Sequence, residues 1–522
     1  MKRKKRLFGG ALAAVCILCI ALLVLVDRMI DRGEAIPVMN DESIWNILHV
    51  YKGTYNDETL PQFVFTKKLN AGLAMDVQGY FVDDIVYCIF PQGTDVSGLR
   101  LSYTSDEPLF TGGRRVVSGV TRLDLSQPLS MECGGKTYQL EVRFTELPVL
   151  ELCTTDGEYP VPNGRTKAVV FNLYDASGHL LVNDTGGARV RGNMTATLSK
   201  LPLRLESSHS HALLGLPEDD TWALLANFLD PTLMRNQVAF DLARALGMKY
   251  VPQQQYVDLY MNGKYQGVYA ATTQLGIRSG SIDLPPVGAD APDGSYLLEF
   301  DRRSRDDPQT ITTPLGVPIV IHSPSSVSDT VRERITGEVL RLEAAITAPD
   351  GVLDGVRYTE LIDLDSLADI FLVNELAYNG DARDPLSIFM YKDTDGKFYM
   401  GPVWDFDISF GLYPLAADVN PPVLMLSDSW WWPYLLQDGE FRQVLADKMI
   451  LLEDWCAQED VRITQLAQQL ERAEVNNYIV SYLGVNDYSN TLEDDLFAEE
   501  VANLRAWLPR RYAELSDALP AP

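Results

Sequence analysis

The stretch GPVWDFD, residues 401–407, ends an apolar run with two carboxylates set two positions apart. On an extended backbone this spacing turns Asp405 and Asp407 to the same side while Phe406 faces the core. Two convergent carboxylates repel each other unless they share a cation, and an ion that prefers oxygen ligands, such as Mg²⁺, suits the pair. The stretch therefore predicts a metal site, which in turn indicates phosphate chemistry.

A third acid, Asp381, follows a predicted helix over residues 364–378. A predicted hairpin comes next, with strands at 387–392 and 397–403, and its second strand leads into Asp405. Because a hairpin returns the chain to the place where it began, we expect Asp381 to lie beside the pair. One acid is then placed to accept a hydroxyl proton while the others hold a metal on nucleotide phosphates, in the order found in protein kinases. Taken singly, each acid is explained as well by a turn or a solvated strand end.

Lys200 and Arg204 are the candidate cations for phosphate binding. Both occur in SKLPLRLE, residues 199–206, where a strand places them on one face with three leucines on the other. A solvated strand edge explains the same pattern. Upstream, the glycines of GGARVRGN, residues 186–193, allow the backbone to approach a phosphate, although the stretch is no standard phosphate loop.

Composition and charge restrict the class of protein. The chain has 522 residues, 46% of them hydrophobic and 22% charged, which is typical of a globular protein with two or three folded units. The formal net charge of −28 predicts a surface that repels nucleic acid, so we predict no nucleic-acid partner. The sequence carries no signal for the oligomeric state.

The N-terminus has the pattern of a membrane anchor. Basic residues at positions 2–6 precede an uncharged apolar run over 7–26, which is about long enough for one bilayer crossing. No small-residue cleavage site follows, so we predict an uncleaved signal anchor with a cytoplasmic N-terminus and extracytoplasmic main domains. Lipoprotein processing at Cys16 is the weaker alternative.

The cysteines carry little information. Two of the six, Cys16 and Cys19, lie within the predicted anchor. The other four allow three disulfide pairings that the sequence does not rank, and their spacing matches no zinc pattern, so no metal role is predicted for them. These four are Cys88, Cys133, Cys153 and Cys456.

Two kinds of pattern divide the rest of the chain. Residues 60–147 alternate apolar and polar side chains, as in 137–144, and glycine pairs separate the segments, which predicts a small β-sandwich. From residue 148 onward strand patterns mix with helical ones, and Asn262 followed by Gly263 predicts a tight hairpin turn. This half is predicted to be α+β.

Seven segments in order resemble the spore coat protein CotH kinase family, and the series is far more specific than any one motif. The resemblance spans roughly residues 148–515. The segments are RVRGN at 189–193, KLPLRL at 200–205, 222–247, 257–274, YLLEFD at 296–301, FLVNELAYNGDA at 371–382 and YKDTDGKFYMGPVWDFDISFG at 391–411.

The residue patterns and the resemblance together predict a fold class and a domain order. The fold class is α+β, with an atypical protein-kinase-like domain preceded by an N-terminal transmembrane helix and a small all-β sandwich domain. The domains are a cytoplasmic basic flank at 1–6, the transmembrane signal anchor at 7–26, a juxtamembrane segment at 27–59, the β-sandwich at 60–147 and the CotH-like kinase domain at 148–518.

The resemblance also implies an activity and its cofactors. The implied activity is that of a secreted, atypical kinase that transfers the ATP γ-phosphoryl group to Ser or Thr of surface or coat proteins. The implied cofactors are ATP and Mg²⁺ or Mn²⁺. By position, Asp381 matches the catalytic acid of the family, and Asp405 and Asp407 match its metal-binding pair. Lys200 falls where the family has a basic residue. Glu299, in the YLLE element, is implied to orient Lys200 or to bind metal, although a structural salt bridge is nearly as good an explanation.

Some positions depart from the family pattern or have another interpretation. Thr273 stands where many members have Glu, and Leu386 with Ser387 stands where some have His and Asn, which puts a second metal ligand in doubt. Asn236 matches a family position, and we expect it to make a buried polar contact to an adjacent loop.

Two alternative functions stay open. The first is a non-catalytic, kinase-like scaffold for adhesion or assembly at the cell surface. The second is a nucleotide-sugar glycosyltransferase, which also uses a DxD motif to hold a metal on a diphosphate. That class requires a doubly wound sheet, and the chain lacks the alternating strand and helix pattern of such a domain.

Overall fold

The first described part of the chain consists of strands. The computed structural model describes residues 62–288, 293–412, 422–481 and 496–519. A three-stranded sheet, a six-stranded sheet and a strand pair enclose one apolar core, to which Tyr260 and Tyr265 also contribute. The strands are β1 (Gln62–Phe65), β2 (Val77–Gln78), β3 (Tyr80–Val82), β4 (Ile85–Phe90), β5 (Leu99–Arg100), β6 (Ser102–Thr104), β7 (Leu109–Thr111), β8 (Arg114–Val116), β9 (Arg122–Leu123), β10 (Leu129–Cys133) and β11 (Lys136–Phe144).

The next seven strands form a closed barrel in the order β12-β13-β14-β15-β16-β18-β17. Parallel pairing of β12 with β17 closes it, in the register Val149 to Asp258. Every strand contributes apolar residues to one cluster, which therefore fills the barrel around Phe171 and Trp222. The strands are β12 (Val149–Thr154), β13 (Lys167–Tyr174), β14 (Leu180–Val190), β15 (Leu203–His211), β16 (Asp219–Leu225), β17 (Gln254–Met261) and β18 (Lys264–Thr273).

The remaining elements are a five-stranded sheet, a separate pair of strands and the helices. The sheet is antiparallel, in the order β20-β21-β19-β24-β25. Its strands are β19 (Tyr296–Phe300), β20 (Ile311–Thr312), β21 (Pro318–Ser323), β24 (Ile388–Lys392) and β25 (Phe398–Met400), and a separate pair is β22 (Val352–Leu353) with β23 (Val356–Arg357). The helices are α1 (Arg235–Leu246), α2 (Asp329–Thr347), α3 (Leu364–Ala377), α4 (Trp432–Leu435), α5 (Gly439–Ser481) and α6 (Leu496–Ala518).

Helix α3 is the central element of this half, and its local sequence explains both of its ends. Asp363 caps the first turn, because its side chain accepts a hydrogen bond from the backbone N–H of Ser366 at 2.8 Å. From Ser366 onward every residue of the helix is buried, in agreement with its largely apolar sequence. The helix ends at Ala377, and the next residue, Tyr378, caps it with a left-handed backbone. A short turn then presents Asp381.

The predicted fold class is wrong. A closed seven-stranded barrel and several separate sheets stand where the prediction had a small sandwich followed by a protein-kinase-like domain. Alternating side chains identify strands but not their partners, and the closing pair joins residues 149–152 to 258–261 across more than a hundred positions. The domain boundaries stay a prediction, and the four cysteines beyond the predicted anchor are free.

The predicted localisation, a single-pass protein of the cell membrane, is corrected as well. Within the four described ranges, no helix has the length and apolar character needed to cross a bilayer. The predicted anchor at 7–26 lies outside the described residues.

Candidate active site

Three acids meet where the hairpin of β24 and β25 returns to the end of α3. Asp381 lies in the turn that follows this helix, and Asp405 and Asp407 follow β25. The backbone of Asp405 is left-handed, with φ of 70°, a conformation that costs free energy for any residue other than glycine. The structure thus brings together the three acids predicted to carry the chemistry, and it holds one of them in a strained conformation.

The charges of these acids are poorly compensated. Burial raises the pKa of Asp405, the charge of Asp381 raises it further, and the nearby Arg191 guanidinium opposes both effects. Burial raises the pKa of Asp407 well above its usual value, and the charges of Asp405, Asp230 and Asp381 add to this. The pair is therefore short of positive charge.

The start of helix α1 holds the backbone between the two metal-binding candidates. Asn236 Oδ1 accepts a hydrogen bond from the backbone N–H of Phe406 at 2.8 Å, which is the buried loop contact expected for Asn236. The neighbouring Arg235 donates to the carbonyl oxygen of Ser409 at 3.0 Å and pairs with Asp230 at 2.6 Å. These contacts stabilise the strained loop from the side away from solvent, since Asn236 and Arg235 are both buried.

Two further side chains contact the acids directly. Arg302 Nη2 lies 3.2 Å from Asp381 Oδ1, so the predicted catalytic acid has a cationic neighbour. Ser387 Oγ donates to Asp405 Oδ2 at 3.1 Å. Ser387 marked a departure from the family pattern, yet the structure places its hydroxyl beside a metal-binding candidate. Sequence reasoning missed Arg302, because charge alone did not distinguish it from its neighbours Arg303 and Arg305.

Lys200 lies in a closed polar cluster that contains none of the three acids. Its ammonium group donates to the carbonyl oxygens of Ala226 and Val268 and to Asn477 Oδ1, the first and last at 2.7 Å. Burial lowers the pKa of Lys200 well below its usual value, and the charge of Asp258 opposes this. All three ammonium protons are used within the protein, which leaves none to donate to a phosphate.

The other two predicted nucleotide-binding residues are also engaged by neighbours. Arg204 Nε lies 2.8 Å from a carboxylate oxygen of Glu206. Glu299, on β19, has its Oε2 atom 2.9 Å from Nδ1 of His322. Neither makes a described contact to Lys200, so the structure does not show the pairing of Lys200 with Glu299 that the resemblance implies.

Arg191 is the residue of this region that sequence reasoning overlooked. Its guanidinium carbon lies 5.2 Å from the ring centroid of Trp404. Burial lowers the pKa of Arg191, the charges of Asp405 and Glu299 oppose this, and the charge of Arg204 adds to it. The available signal was its place in RVRGN, the first of the seven segments that resemble the family.

The acids fit a cation, although not as a complete metal cage. Across the described ranges, no three or more His, Cys, Asp or Glu side chains are grouped so that they would hold a metal ion. The positive charge near Asp405 and Asp407 nevertheless leaves both pKa values raised, and two hard carboxylate donors with further positions left to phosphate and water suit Mg²⁺ or Mn²⁺. The residues present are therefore compatible with a metal held partly by its substrate.

Three acids arranged in this way at the base of a hairpin are typical of the phosphotransferases that hold a nucleotide through a metal ion. The profile of one family, the CotH kinase protein, matches residues 188–515. The chain belongs to the CotH kinase family, and the resemblance stated from its motifs is confirmed. A search of the curated proteins found no match to this chain.

Proposed function

We propose that this CotH kinase family member is an enzyme that transfers the γ-phosphoryl group of ATP to a Ser or Thr hydroxyl of a protein. The observation that carries the proposal is the convergence of Asp381 with Asp405 and Asp407 at the base of one hairpin, where burial and mutual charge raise the pKa values of the last two. A structural role does not require such an arrangement, because unpaired buried acids cost stability.

Asp381 is placed to act as the general base. In the reaction the acceptor oxygen bonds to the γ-phosphorus, the bond from that phosphorus to the β,γ-bridging oxygen breaks, ADP leaves, and the hydroxyl proton passes to a carboxylate. Asp381 is the one of the three acids that sits in a turn with a cationic neighbour, Arg302, at 3.2 Å. That contact orients the carboxylate, as a base requires.

Asp405 and Asp407 are the residues that would hold Mg²⁺ or Mn²⁺. A bound metal would neutralise charge on the phosphates and on the two acids together. Ser387 orients Asp405 through its hydroxyl, and Asn236 fixes the backbone between the two acids. The chain thus orients the two acids, while the balance of charge at the site depends on the metal and phosphate that bind.

A labelling experiment tests the proposal. The full chain is incubated with γ-labelled ATP, Mg²⁺ or Mn²⁺ and a casein-like acceptor, beside Asp381→Asn and Asp405→Ala. Asp384→Asn is the matched control, because Asp384 lies three positions from Asp381 and pairs with Arg305 at the exposed surface. We expect both site variants to lower the transfer rate by about 10² to 10⁴ and the control to transfer normally.

The outcomes separate the alternatives. Transfer that survives in Asp381→Asn contradicts the base assignment, and transfer that survives in Asp405→Ala contradicts the metal assignment. A wild type that neither binds nucleotide nor transfers label leaves the non-catalytic scaffold as the better explanation. UDP-sugars offered in parallel test the glycosyltransferase alternative, since hydrolysis or transfer of sugar would replace the phosphotransferase proposal.

A further inference from the structure

Arg191 is a half-buried cation for which the described residues supply no side-chain acceptor. Its backbone follows β14, and its side chain lies over Trp404 next to Asp405. Among the residues that the structure describes, no oxygen accepts a hydrogen bond from this guanidinium and no carboxylate forms an ion pair with it. A guanidinium in such a place loses hydration without replacing it, which is costly unless a ligand supplies the acceptors.

Each of the neighbouring cations contacts at least one protein oxygen, which sets Arg191 apart. Lys200 donates all three of its protons to protein oxygens, and Arg204 is paired with Glu206. Arg302 contacts both Asp381 and the carbonyl oxygen of Asp384. Of these four cations, Arg191 is the one whose side chain makes neither an ion pair nor a hydrogen bond within the described residues, and its guanidinium fork matches two oxygens of one phosphate.

We infer that Arg191 binds a phosphate group of the nucleotide, the role that sequence reasoning assigned to Lys200 and Arg204. The ligand class is a nucleoside polyphosphate, and the inference rests on the proposed function. Asp405 lies close enough to Arg191 to act on its charge, so a polyphosphate at this site meets Arg191 and a metal on the acids together. The Trp404 ring keeps the guanidinium plane in place before the ligand arrives.

Binding measured without metal isolates this contact. Full-length wild type and Arg191→Gln are titrated in EDTA with ATP, with adenosine and with inorganic tripolyphosphate, and heat of binding is the readout. We expect Arg191→Gln to weaken binding of ATP and tripolyphosphate by about 10-fold to 100-fold and to leave adenosine binding unchanged. The two phosphate-bearing ligands distinguish a nucleotide site from a site for free polyphosphate.

Two variants provide the controls. Arg191→Lys keeps the charge but not the fork, so we expect it to recover part of the lost affinity. Arg189→Gln removes an exposed arginine two positions away, and we expect it to change ATP affinity by no more than about twofold because an exposed charge is screened. Thermal unfolding of each variant confirms that it folds before its affinity is compared.

Several results would overturn the inference. They are ATP binding that is unchanged in Arg191→Gln, adenosine binding that falls as much as ATP binding, an equal loss in Arg189→Gln, and a wild type that binds neither ATP nor tripolyphosphate. The labelling experiment is separate from these measurements. A protein that binds polyphosphate through Arg191 but transfers no label supports the inference and contradicts the proposed function, whereas normal transfer with Arg191-independent binding does the reverse.

Discussion

Two buried polar clusters of this protein, one around Lys200 and one around Asp405, differ in how their charges are met. At Lys200 three oxygens accept the three ammonium protons. At Asp405 the nearest charged groups include another acid, Asp381, and a guanidinium, Arg191, that makes no hydrogen bond within the described chain. The hydrogen bonds of the Lys200 cluster are complete, whereas the charges of the Asp405 cluster are not fully compensated.

The complete set of hydrogen bonds around Lys200 indicates that this cluster has a structural role. Asn477 belongs to α5, Val268 belongs to barrel strand β18, and Ala226 directly follows barrel strand β16, so Lys200 fastens the long helix to the barrel wall. A complete network of this kind stabilises the fold. The incomplete cluster around Asp405 destabilises the fold. Such a loss of stability is retained where a ligand completes the site.

The largest effect is expected from breaking the complete cluster. Lys200→Met removes a donor from three buried oxygens, of which Asn477 Oδ1 keeps the backbone N–H of Val268, so we expect the free energy of unfolding to fall by about 3 to 5 kcal/mol, measured by urea denaturation. Lys167→Met is the control, because its ammonium group pairs with the carboxylates of Asp156 and Glu158 in water, and we expect a nearly unchanged midpoint. A Lys200→Met protein as stable as the wild type would contradict the structural role.

A smaller loss is expected from the helix side of the same cluster. Asn477→Ala removes the oxygen that accepts from Lys200 and from the backbone N–H of Val268, which we expect to cost about 2 kcal/mol. In the double variant with Lys200→Met the losses should total less than their sum, because the two residues belong to one network. Asn503→Ala, at an exposed position on α6, is the control, and strict additivity would argue against a shared network.

The incomplete cluster should respond in the opposite direction. Asp407→Asn removes one of the mutually repelling charges at nearly constant shape, so we expect the protein to gain about 1 kcal/mol in unfolding free energy at pH 8 while losing transfer activity. Asp428→Asn, an exposed acid paired with Arg383, should give no such gain. A loss of stability in Asp407→Asn would show that its charge is compensated in the folded protein.

The smallest effect is the pH dependence of that gain. The folded protein holds the Asp407 proton to higher pH than the unfolded chain does, so ionisation of Asp407 makes the wild type less stable as pH rises above about 4. We therefore expect the stability difference between Asp407→Asn and the wild type to shrink toward pH 4 and to grow toward pH 8. Glu375 and Glu459, whose pKa values burial raises to about 7 and about 8, act in both proteins and cancel. A stability difference that does not vary with pH would contradict the conclusion that the charge of Asp407 is uncompensated.

Much of the local structure was predictable because its signals lie close together in the chain. The helix predicted over 364–378 is α3, Leu364–Ala377, and the predicted hairpin appears as β24 and β25. At the predicted turn, Asn262 and Gly263 both have positive φ, as a two-residue hairpin requires. Each of these elements depends on residues within a few positions of one another.

The barrel was not predictable in the same way. The strands at 149–154 and 219–225 were not recognised, and without them the pairing order could not close. Closure depends on a parallel contact between segments that are far apart in sequence, and no local periodicity carries that information. The environment of Lys200 follows from the same closure, because it combines the barrel with a helix more than two hundred residues later.

The sequence by itself determined the family, the three acids and the hairpin that brings Asp381 to Asp405, since each depends on residue type and short spacing. The tertiary structure alone decided which cations remain available. Lys200 and Arg191 are both cationic residue types, but the fold surrounds the first with acceptors and leaves the second near Asp405 with none among the described residues. The acceptors come from distant strands and helices, and for that reason the distinction could not be read along the chain.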